Sequence, residues 1–592
     1  MKIAKTSQLL IPLLPLAVAI QPSAQGPIPG QRFRHLEWGP INFLHTTDNH
    51  GWHAGHLQEP QYSADFGDYL SFVSHLRKAA EEKGVDLIVL DTGDRAEGNG
   101  LWDATDPMGK YTRNFYKELP LDILTLGNHE LYNGTAARNE FLEMVSYYEP
   151  FANRSHKFVT GQQGFRITSF GFLFNFARND KNTRVKTASD TIKESWFREA
   201  IHDTDVDLFV IIGHADICGI EFTQIFEAIR EVHPDTPIQF FGGHSHIRNF
   251  RILDNKSTAL ESGKCFETVG WLSIDGIKAQ EAPDSSDNTS MVVSRRYIDA
   301  NRIGYQHHSG KNATTFDTPQ GLSMTQRLSK YRAGLDLDRL IGCAPHDFSL
   351  SKHIYPGPQN WYSYLEEHIL PTMVYNEERS QVPRFIFINT GSQRFDVFKG
   401  PFTYDTSFLI SPFTSKFVYA KDIDYSTAIH LRDFFEKDVG PYKTDKSESP
   451  FENQQQDAEE VDIQSSPLVN HRQAPLARSR PRHKYTKVIG YATIDDAGTD
   501  GDDTIHVPLK RYPTPQVIQG NASFPEDWES NPPVTIDVVF FDFIAQHVAA
   551  GLNEIAGTED YSTNDFLPYM GQEDTMTKLL LDYVAKYWGR DC

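Results

Sequence analysis

Cysteine is nearly missing from this chain, with four residues in 592, at Cys218, Cys265, Cys343 and Cys592. No pair has CxxC spacing, so no thiolate zinc site is indicated, and so few cysteines exclude a disulfide scaffold. In an oxidising compartment they would allow two bridges, in any of three connectivities. Long apolar runs are missing too. No stretch after the N-terminus reaches the roughly 18 apolar residues of a membrane span, and the ending WGRDC offers no hydrophobic tail for a GPI anchor. Basic charge is in short supply, with 57 Lys and Arg against 79 Asp and Glu, a formal net charge of -22. Such a surface repels nucleic acid polymers and anionic membranes on average. An anionic substrate would therefore need a concentrated local positive charge. No internal repeat of solenoid or propeller period is visible.

What is present points to a folded, exported protein. Apolar residues make up 39% and aromatics 12%, enough for packed cores, and the length favours two domains. Lys2 and Lys5 precede an apolar run, Leu9 to Ile20, that is broken by Pro12 and Pro15 and holds the small-residue site 17-AVA-19. That pattern predicts a signal peptide over residues 1–19 and a secretory-pathway protein, extracellular or vacuolar, with no stable membrane anchor. Sequons at Asn133, Asn153, Asn255, Asn288, Asn312 and Asn521 agree with this route.

The first half alternates short apolar runs with helical or loop segments. The runs 41-INFLHTT-47, 86-DLIVLD-91, 121-LDILTL-126, 207-DLFVII-212 and 237-PIQFFG-242 each end in a polar or glycine-containing turn. They read as buried strands of an α/β layered domain over about residues 38–300. A helix over 318–340, opened by Thr-Pro, is expected to link the halves. A second domain is expected over 345–592, with strands at 384-RFIFIN-389 and 535-TIDVVFF-541. Residues 443–484, rich in Gln, Ser, Pro and charge, predict a disordered insertion within it.

Polar residues gather where the first-half strands stop: 48-DNH-50, 93-GD-94, 127-GNHE-130, 213-GH-214 and 243-GHSH-246. Strand ends in an α/β sheet converge on one crevice. Asp48, His50, Asp94, Asn128, His129, His214, His244 and His246 can therefore meet although they span almost 200 residues. Carboxylate, imidazole and amide oxygen suit borderline divalent ions such as zinc, manganese or iron. Seven ligands drawn from this set would exceed the needs of one catalytic ion and fit two, about 3.5–4 Å apart, sharing a carboxylate. The glycines before Asp94, Asn128, His214 and His244 are expected to let the backbone turn sharply.

In this order the five elements resemble the calcineurin-like metallophosphoesterases, over roughly residues 41–250. The resemblance implies a four-layer αββα sandwich. It implies one metal held by Asp48, His50 and His246, a second by Asn128, His214 and His244, and Asp94 bridging both. Zinc or manganese are the expected pair, with iron or magnesium as further candidates. His129 would not be a ligand but would stabilise or protonate the leaving group. Two ions would lower the pKa of a bound water and polarise the phosphoryl oxygens.

The stretch 389-NTGSQRFDVFKGPFTYDTSFLISPF-413 resembles the C-terminal domain motif of 5′-nucleotidases, in the fungal secretory or vacuolar branch. The implied architecture is an α+β 5′-nucleotidase-like domain after the sandwich, and the implied substrate is a small phosphorylated molecule, a nucleotide. Asn389, Arg394, Phe413 and Phe543 are the substrate-side candidates. Arg394 offers a guanidinium fork to phosphate, and Phe413 a face on which a base would stack for roughly 1–3 kcal/mol. A bland alternative makes Arg394 a surface ion pair and Phe413 core. The pattern also departs from the family's. An Asp three residues after the motif histidine usually orients it, but Tyr132 stands there, so less support for a charged His129 is expected. The segments E-x-x-L-G-N-L and Gly-Gly-Asp-Gly are not visible. Second readings follow: a phosphatase or phosphodiesterase for another small phosphoester, or a catalytically weakened metal-binding secreted protein. The second domain would cover the metals against large substrates, which disfavours a protein phosphatase. Oligomeric state is left open.

Four histidines crowd 43-FLHTTDNHGWHAGH-56. Asp48 and His50, two apart, form the ligand pair. His45 has the opposite parity and reads as a hydrogen-bonded core residue. His53 and His56 read as solvated loop residues, with lining the cleft and contacting substrate as the alternative.

Overall fold

A computed structural model describes residues 32–135, 137–139, 155–176, 179–279, 290–437, 488–489, 493–507 and 512–592. The expected signal peptide (1–19), the insertion (443–484) and the sequons Asn153 and Asn288 lie outside the described residues. Eleven strands build the first half: β1 (Ile41–Thr46), β2 (Asp86–Asp91), β3 (Ile123–Leu124), β4 (His156–Val159), β5 (Arg166–Leu173), β6 (Leu208–His214), β7 (Ile238–Phe241), β8 (Arg248–Asp254), β9 (Ser257–Ser262), β10 (Thr268–Asp275) and β11 (Val292–Asp299). The second half adds β12 (Leu340–Ala344), β13 (Arg384–Asn389), β14 (Gly400–Thr403), β15 (Phe417–Asp424), β16 (Val488–Ile489), β17 (Thr493–Asp495), β18 (His506–Val507), β19 (Val517–Ala522), β20 (Thr535–Phe541) and β21 (Leu567–Pro568). The run expected over 121–126 yields only the two-residue β3.

Two sheets face each other, ordered β11-β10-β1-β2-β3 and β17-β8-β9-β7-β6-β5-β4. Side-chain alternation assigns the layers. Ile41 and Phe43 of β1 meet Leu208, Val210 and Ile212 of β6 in a core between the sheets. Leu44 turns the other way, to Phe72 and Leu76 on the helix Phe66–Lys83. Phe209 and Ile211 turn away on the opposite side, to Ile225 and Ile229 of the helix Ile220–Val232. The result is the four-layer αββα sandwich. Each fully buried large aliphatic or aromatic side chain contributes roughly 1.5–3 kcal/mol. β1 runs parallel to β2, and β5, β6 and β7 are mutually parallel, so the carboxyl ends of β1, β2, β3, β6 and β7 share one edge.

The helix expected over 318–340 spans Pro319–Gly334, capped by the Thr318 hydroxyl, which accepts from Gly321 N–H. Its Met324 and Leu328 join the cluster of Phe72 and Leu76. It therefore packs onto the first-half core rather than standing free between halves. The second-half sheet is ordered β19-β13-β20-β15-β21 over its own core of Phe385, Phe387, Val539, Leu552 and Leu580. One disulfide, Cys343–Cys592, ties β12 to the last residue, with Cα atoms 5.4 Å apart. Cys218 and Cys265 are free, so of the two bridges the sequence allowed, one is present among the described residues.

The stretch 493–507 crosses back from the second half. β17 extends the seven-stranded sheet beside β8. Asp495 pairs with Arg295 at 2.8 Å, Asp502 with Arg248 at 3.0 Å and Asp503 with His308 at 3.0 Å. Arg248 and His506 converge on the buried Asp299, at 2.6 and 2.9 Å.

Candidate metal centre

Every residue expected at the metal site arrives at the shared strand edge. Asp48 and His50 follow β1, Asp94 follows β2, Asn128 and His129 follow β3, His214 ends β6, and His244 and His246 follow β7. Three ligand-like groups result: Asp48, His50 and His246; Asp94, His214 and His244; and His50, Asp94 and His129. Within each, the candidate ligand atoms lie within 4.8 Å of one another. Asp48 Oδ1 is 3.2 Å from His246 Nε2, and Asp94 Oδ2 is 3.0 Å from His214 Nε2.

The surrounding hydrogen bonds aim each donor inward. Asp48 Oδ2 accepts from the Thr47 hydroxyl (2.6 Å) and from His244 N–H (2.9 Å), which turns Oδ1 to the site. Asp94 Oδ1 accepts from His129 N–H at 2.9 Å, leaving Oδ2. His50 Nδ1 meets the Ala96 carbonyl and His214 Nδ1 the Thr92 carbonyl, each at 2.9 Å, so their Nε2 atoms face the site. Asn128 Nδ2 donates to the Tyr132 hydroxyl at 2.9 Å, leaving Oδ1. Partners of this kind set tautomer and ring direction in metal sites. Glu130 gathers the loops: its carboxylate accepts from Asp94, Arg95, Ala96 and Gly127 N–H groups.

These donors fit divalent ions. Asp48 Oδ1, Asp94 Oδ2, Asn128 Oδ1, His214 Nε2 and His244 Nε2 are all buried without a hydrogen-bond partner. Burial of polar atoms without partners is costly, and divalent cations held among these groups would satisfy them. Burial lowers the His244 and His246 imidazoles to about 3 and about 4, the neutral form that binds metal. His214 departs from this. Burial opposes its charge, but Asp94 and Asp48 outweigh burial and push it up to about 10, so the two carboxylates call for a cation between them.

The glycines do two jobs rather than the one expected. Gly93 holds φ +92°, where a side chain is strained. Gly127 and Gly243 serve close approach instead. A Cβ on Gly127 would lie 2.0 Å from Asp94 Oδ1, and one on Gly243 2.2 Å from the Thr47 hydroxyl. The left-handed turns fall on the ligands themselves: φ is +50° at Asp48, +45° at His50, +54° at Asp94, +74° at His244 and +62° at His246.

The second half supplies the outer wall. Arg394 Nη2 lies 3.4 Å from His50 Nε2, and its guanidinium stands 5.8 Å over the Phe413 ring. Phe413, partly exposed, stacks toward His129 at 6.1 Å. Trp361 steadies this wall by donating to the Gln393 side chain beside Arg394, at 2.9 Å. Asn389 ends β13 with a buried, unpartnered Oδ1. Phe543 is 40% exposed in the turn Asp542–Ile544. Of these four candidates, Arg394 and Phe413 are the two whose distances to a metal-site histidine place them over the cluster.

Comparison with known proteins agrees with this geometry. Residues 41–248 match the calcineurin-like phosphoesterase family, and residues 347–549 match the NAD nucleotidase C-terminal domain. The crystal structure of 5′-nucleotidase from Candida albicans is 33% identical with a TM-score of 0.80, covering 94% of this chain and 100% of that one. The chain belongs to the calcineurin-like phosphoesterases. An uncharacterized protein of Schizosaccharomyces pombe is 36% identical, over 95% of this chain and 94% of the relative. A secreted protein of Arthroderma benhamiae is 35% identical, over 96% and 93%. The phosphoesterase is a metal-dependent phosphoester hydrolase.

Two expectations about this phosphoesterase need correction. His53 and His56 are buried, not solvated. His53 packs between Phe66 and Tyr116, and His56 stacks on Trp52, bonds Glu59 at 2.7 Å and reaches the Cys265 carbonyl at 2.6 Å. His45 lies buried between the sheets, bonded to Ser262 and Thr92. The second correction concerns His129. Tyr132 brings no charge to it, but Glu97 does: Oε2 sits 2.7 Å from His129 Nδ1. Burial disfavours a charged His129, yet Asp94 and Glu97 outweigh it and raise its pKa. Glu97 was missed because it belongs to none of the expected motif positions. Its signal was a carboxylate three residues past Asp94, in 91-DTGDRAEGNG-100.

Proposed function

We propose that this phosphoesterase uses two divalent ions to release phosphate from a nucleotide in the secretory pathway, in the vacuole or outside the cell. The observation that carries this reading is the pairing of the two ligand groups with Arg394 and Phe413 above them. Asp48, His50 and His246 would hold one ion, and Asn128, His214 and His244 the other, with Asp94 shared. Zinc or manganese suits this mixture of imidazole, carboxylate and amide oxygen. When bound, the ions supply Lewis-acid charge to the phosphoryl oxygens and a water of lowered pKa. Arg394 would grip the phosphoryl oxygens, and the Phe413 face would carry the base. His129 would hand a proton to the leaving oxygen from Nε2, the nitrogen turned toward Asp94. The acidic surface repels anions elsewhere, so the positive charge that recruits the substrate is concentrated here. Export is supported by the N-terminal pattern and by the relative named as secreted.

The test uses the full mature chain loaded with zinc or manganese. Phosphate release is measured from AMP, a UDP-sugar, bis-p-nitrophenyl phosphate and a phosphopeptide, with and without EDTA. The expected result is EDTA-sensitive release, fastest from AMP or the UDP-sugar. Preference for bis-p-nitrophenyl phosphate would point to another small phosphoester, and preference for the phosphopeptide would sink the nucleotide reading.

A further inference from the structure

His129 needs an acceptor at Nδ1 if Nε2 is to face the reacting phosphate, and the position three residues on cannot provide a charged one. The Tyr132 hydroxyl accepts from Asn128, and its ring stands edge-on to His129 with centroids 5.2 Å apart. We propose that Glu97 is the positioning carboxylate of His129, delivered from the loop after β2 instead of from the turn after the histidine. This rests on the assignment of His129 as proton donor to the leaving group.

The loop is built to hold Glu97 in place. Glu97 has φ +58°, a left-handed conformation that a non-glycine residue keeps only where its neighbours impose it. On one side, Ala96 donates its N–H to Glu130 and offers its carbonyl to His50 Nδ1. On the other, Gly98 and Asn99 both donate to the Asp103 carboxylate at 2.9 Å. Gly98 is pressed against His50, where a Cβ would come within 3.0 Å of the His50 Cβ. The Glu97 side chain, 16% exposed, lies 2.7 Å from His129 Nδ1. A carboxylate only accepts, so Nδ1 carries the proton in this bond. That leaves Nε2 pointing to the cluster, 3.7 Å from Asp94 Oδ2. One loop thus orients the ligand His50 through Ala96 and the donor His129 through Glu97.

The proton balance is simple. As the bond from phosphorus to the leaving oxygen breaks, that oxygen takes the proton of His129 Nε2. The attacking water adds its oxygen to phosphorus and releases a proton, which returns the imidazole to its starting state. Glu97 exchanges no proton. It fixes the ring and stabilises its positive charge, so its effect depends on how badly the leaving group needs a proton.

The experiment compares kcat and KM for glycerol phosphate, whose alkoxide needs protonation, and p-nitrophenyl phosphate, whose phenolate does not. Wild type, Glu97→Ala, Glu97→Gln and His129→Ala are each loaded with manganese, and bound metal and melting temperature are recorded. Glu97→Ala is expected to lower kcat for glycerol phosphate about tenfold to a hundredfold, up to the low end of what a general acid contributes, because the donor itself remains. Its kcat for p-nitrophenyl phosphate should fall by no more than about threefold, with KM and metal content near wild type. Glu97→Gln, which still accepts from Nδ1, should recover part of the loss. Equal losses on both substrates, or loss of metal in Glu97→Ala, would reduce Glu97 to a structural residue and overturn the proposal. The same holds if His129→Ala alone shows the leaving-group selectivity. If His129→Ala is itself unselective, the donor role of His129 falls, and the proposal with it.

Discussion

Five ligand candidates and Glu97 sit at positive φ, a conformation that costs of order 1–3 kcal/mol for each non-glycine residue. The hydrogen bonds of Asp48, Asp94 and Glu130 hold these turns. Individual histidines in the same short stretch differ in kind. Burial alone would strip the charge from His56, but its hydrogen bond and ion pair with Glu59 outweigh burial and raise its pKa above the ordinary value. A raised pKa gives stability that is complete below about pH 6.5 and is lost as pH climbs through the folded value. The melting temperature should therefore decline as pH rises from about 6.5. In His56→Gln that decline should be shallower, as a thermal melt at stepped pH would show.

The loops between strand and helix hold the centre more than the strands do. Each strand end delivers one or two side chains, but the loops after β2 and β3 interlock through Glu130 and through the contact of Gly127 with Asp94. Gly127→Ala would push a methyl group to 2.0 Å from Asp94 Oδ1 and 2.5 Å from its backbone nitrogen. Asp94 would have to move, and metal affinity should fall by at least about tenfold to a hundredfold, the effect of disturbing a ligand's support. Equilibrium dialysis with elemental analysis would measure it. Unchanged metal binding would show that the loop yields without cost.

Across the whole phosphoesterase, the two halves are joined more tightly than their order in the chain suggests. The helix Pro319–Gly334 packs on the first half, the second half lays Arg394 and Phe413 over the candidate metal centre, and residues 493–507 return to the first half through Arg248. That guanidinium is buried between Asp299 and Asp502. Arg248→Met keeps the volume but leaves Asp299 with His506 and Gln61 alone. Breaking one partner from a buried charge network costs about 3–5 kcal/mol. Urea denaturation should show a loss of that size, well above that of Asp502→Asn, which removes a more exposed partner. Comparable losses would mean that the strap, not Asp299, depends on Arg248.

Much of this molecule was legible in its residues. Period-two and buried-strand patterns located β1, β2, β6, β7, β13 and β20 nearly residue by residue, because a strand's register is set by which side chains it must bury. The order of polar elements at strand ends picked out the residues that gather in the candidate metal centre, because an α/β sheet brings its carboxyl ends together. His45 was readable from parity alone. Other features were not local. Glu97 reaches His129 across 32 residues, and only the folded loops bring the two together. His56 looked like a loop residue because Glu59, Trp52 and the Cys265 carbonyl surround it only after folding. The return of 493–507 rests on charge pairing across 200 positions or more. The choice of candidate ligands thus follows from residue type and spacing, which sequence carries directly. Orientation, protonation and the joining of the halves follow from long-range hydrogen bonds and burial, which exist only in the tertiary structure.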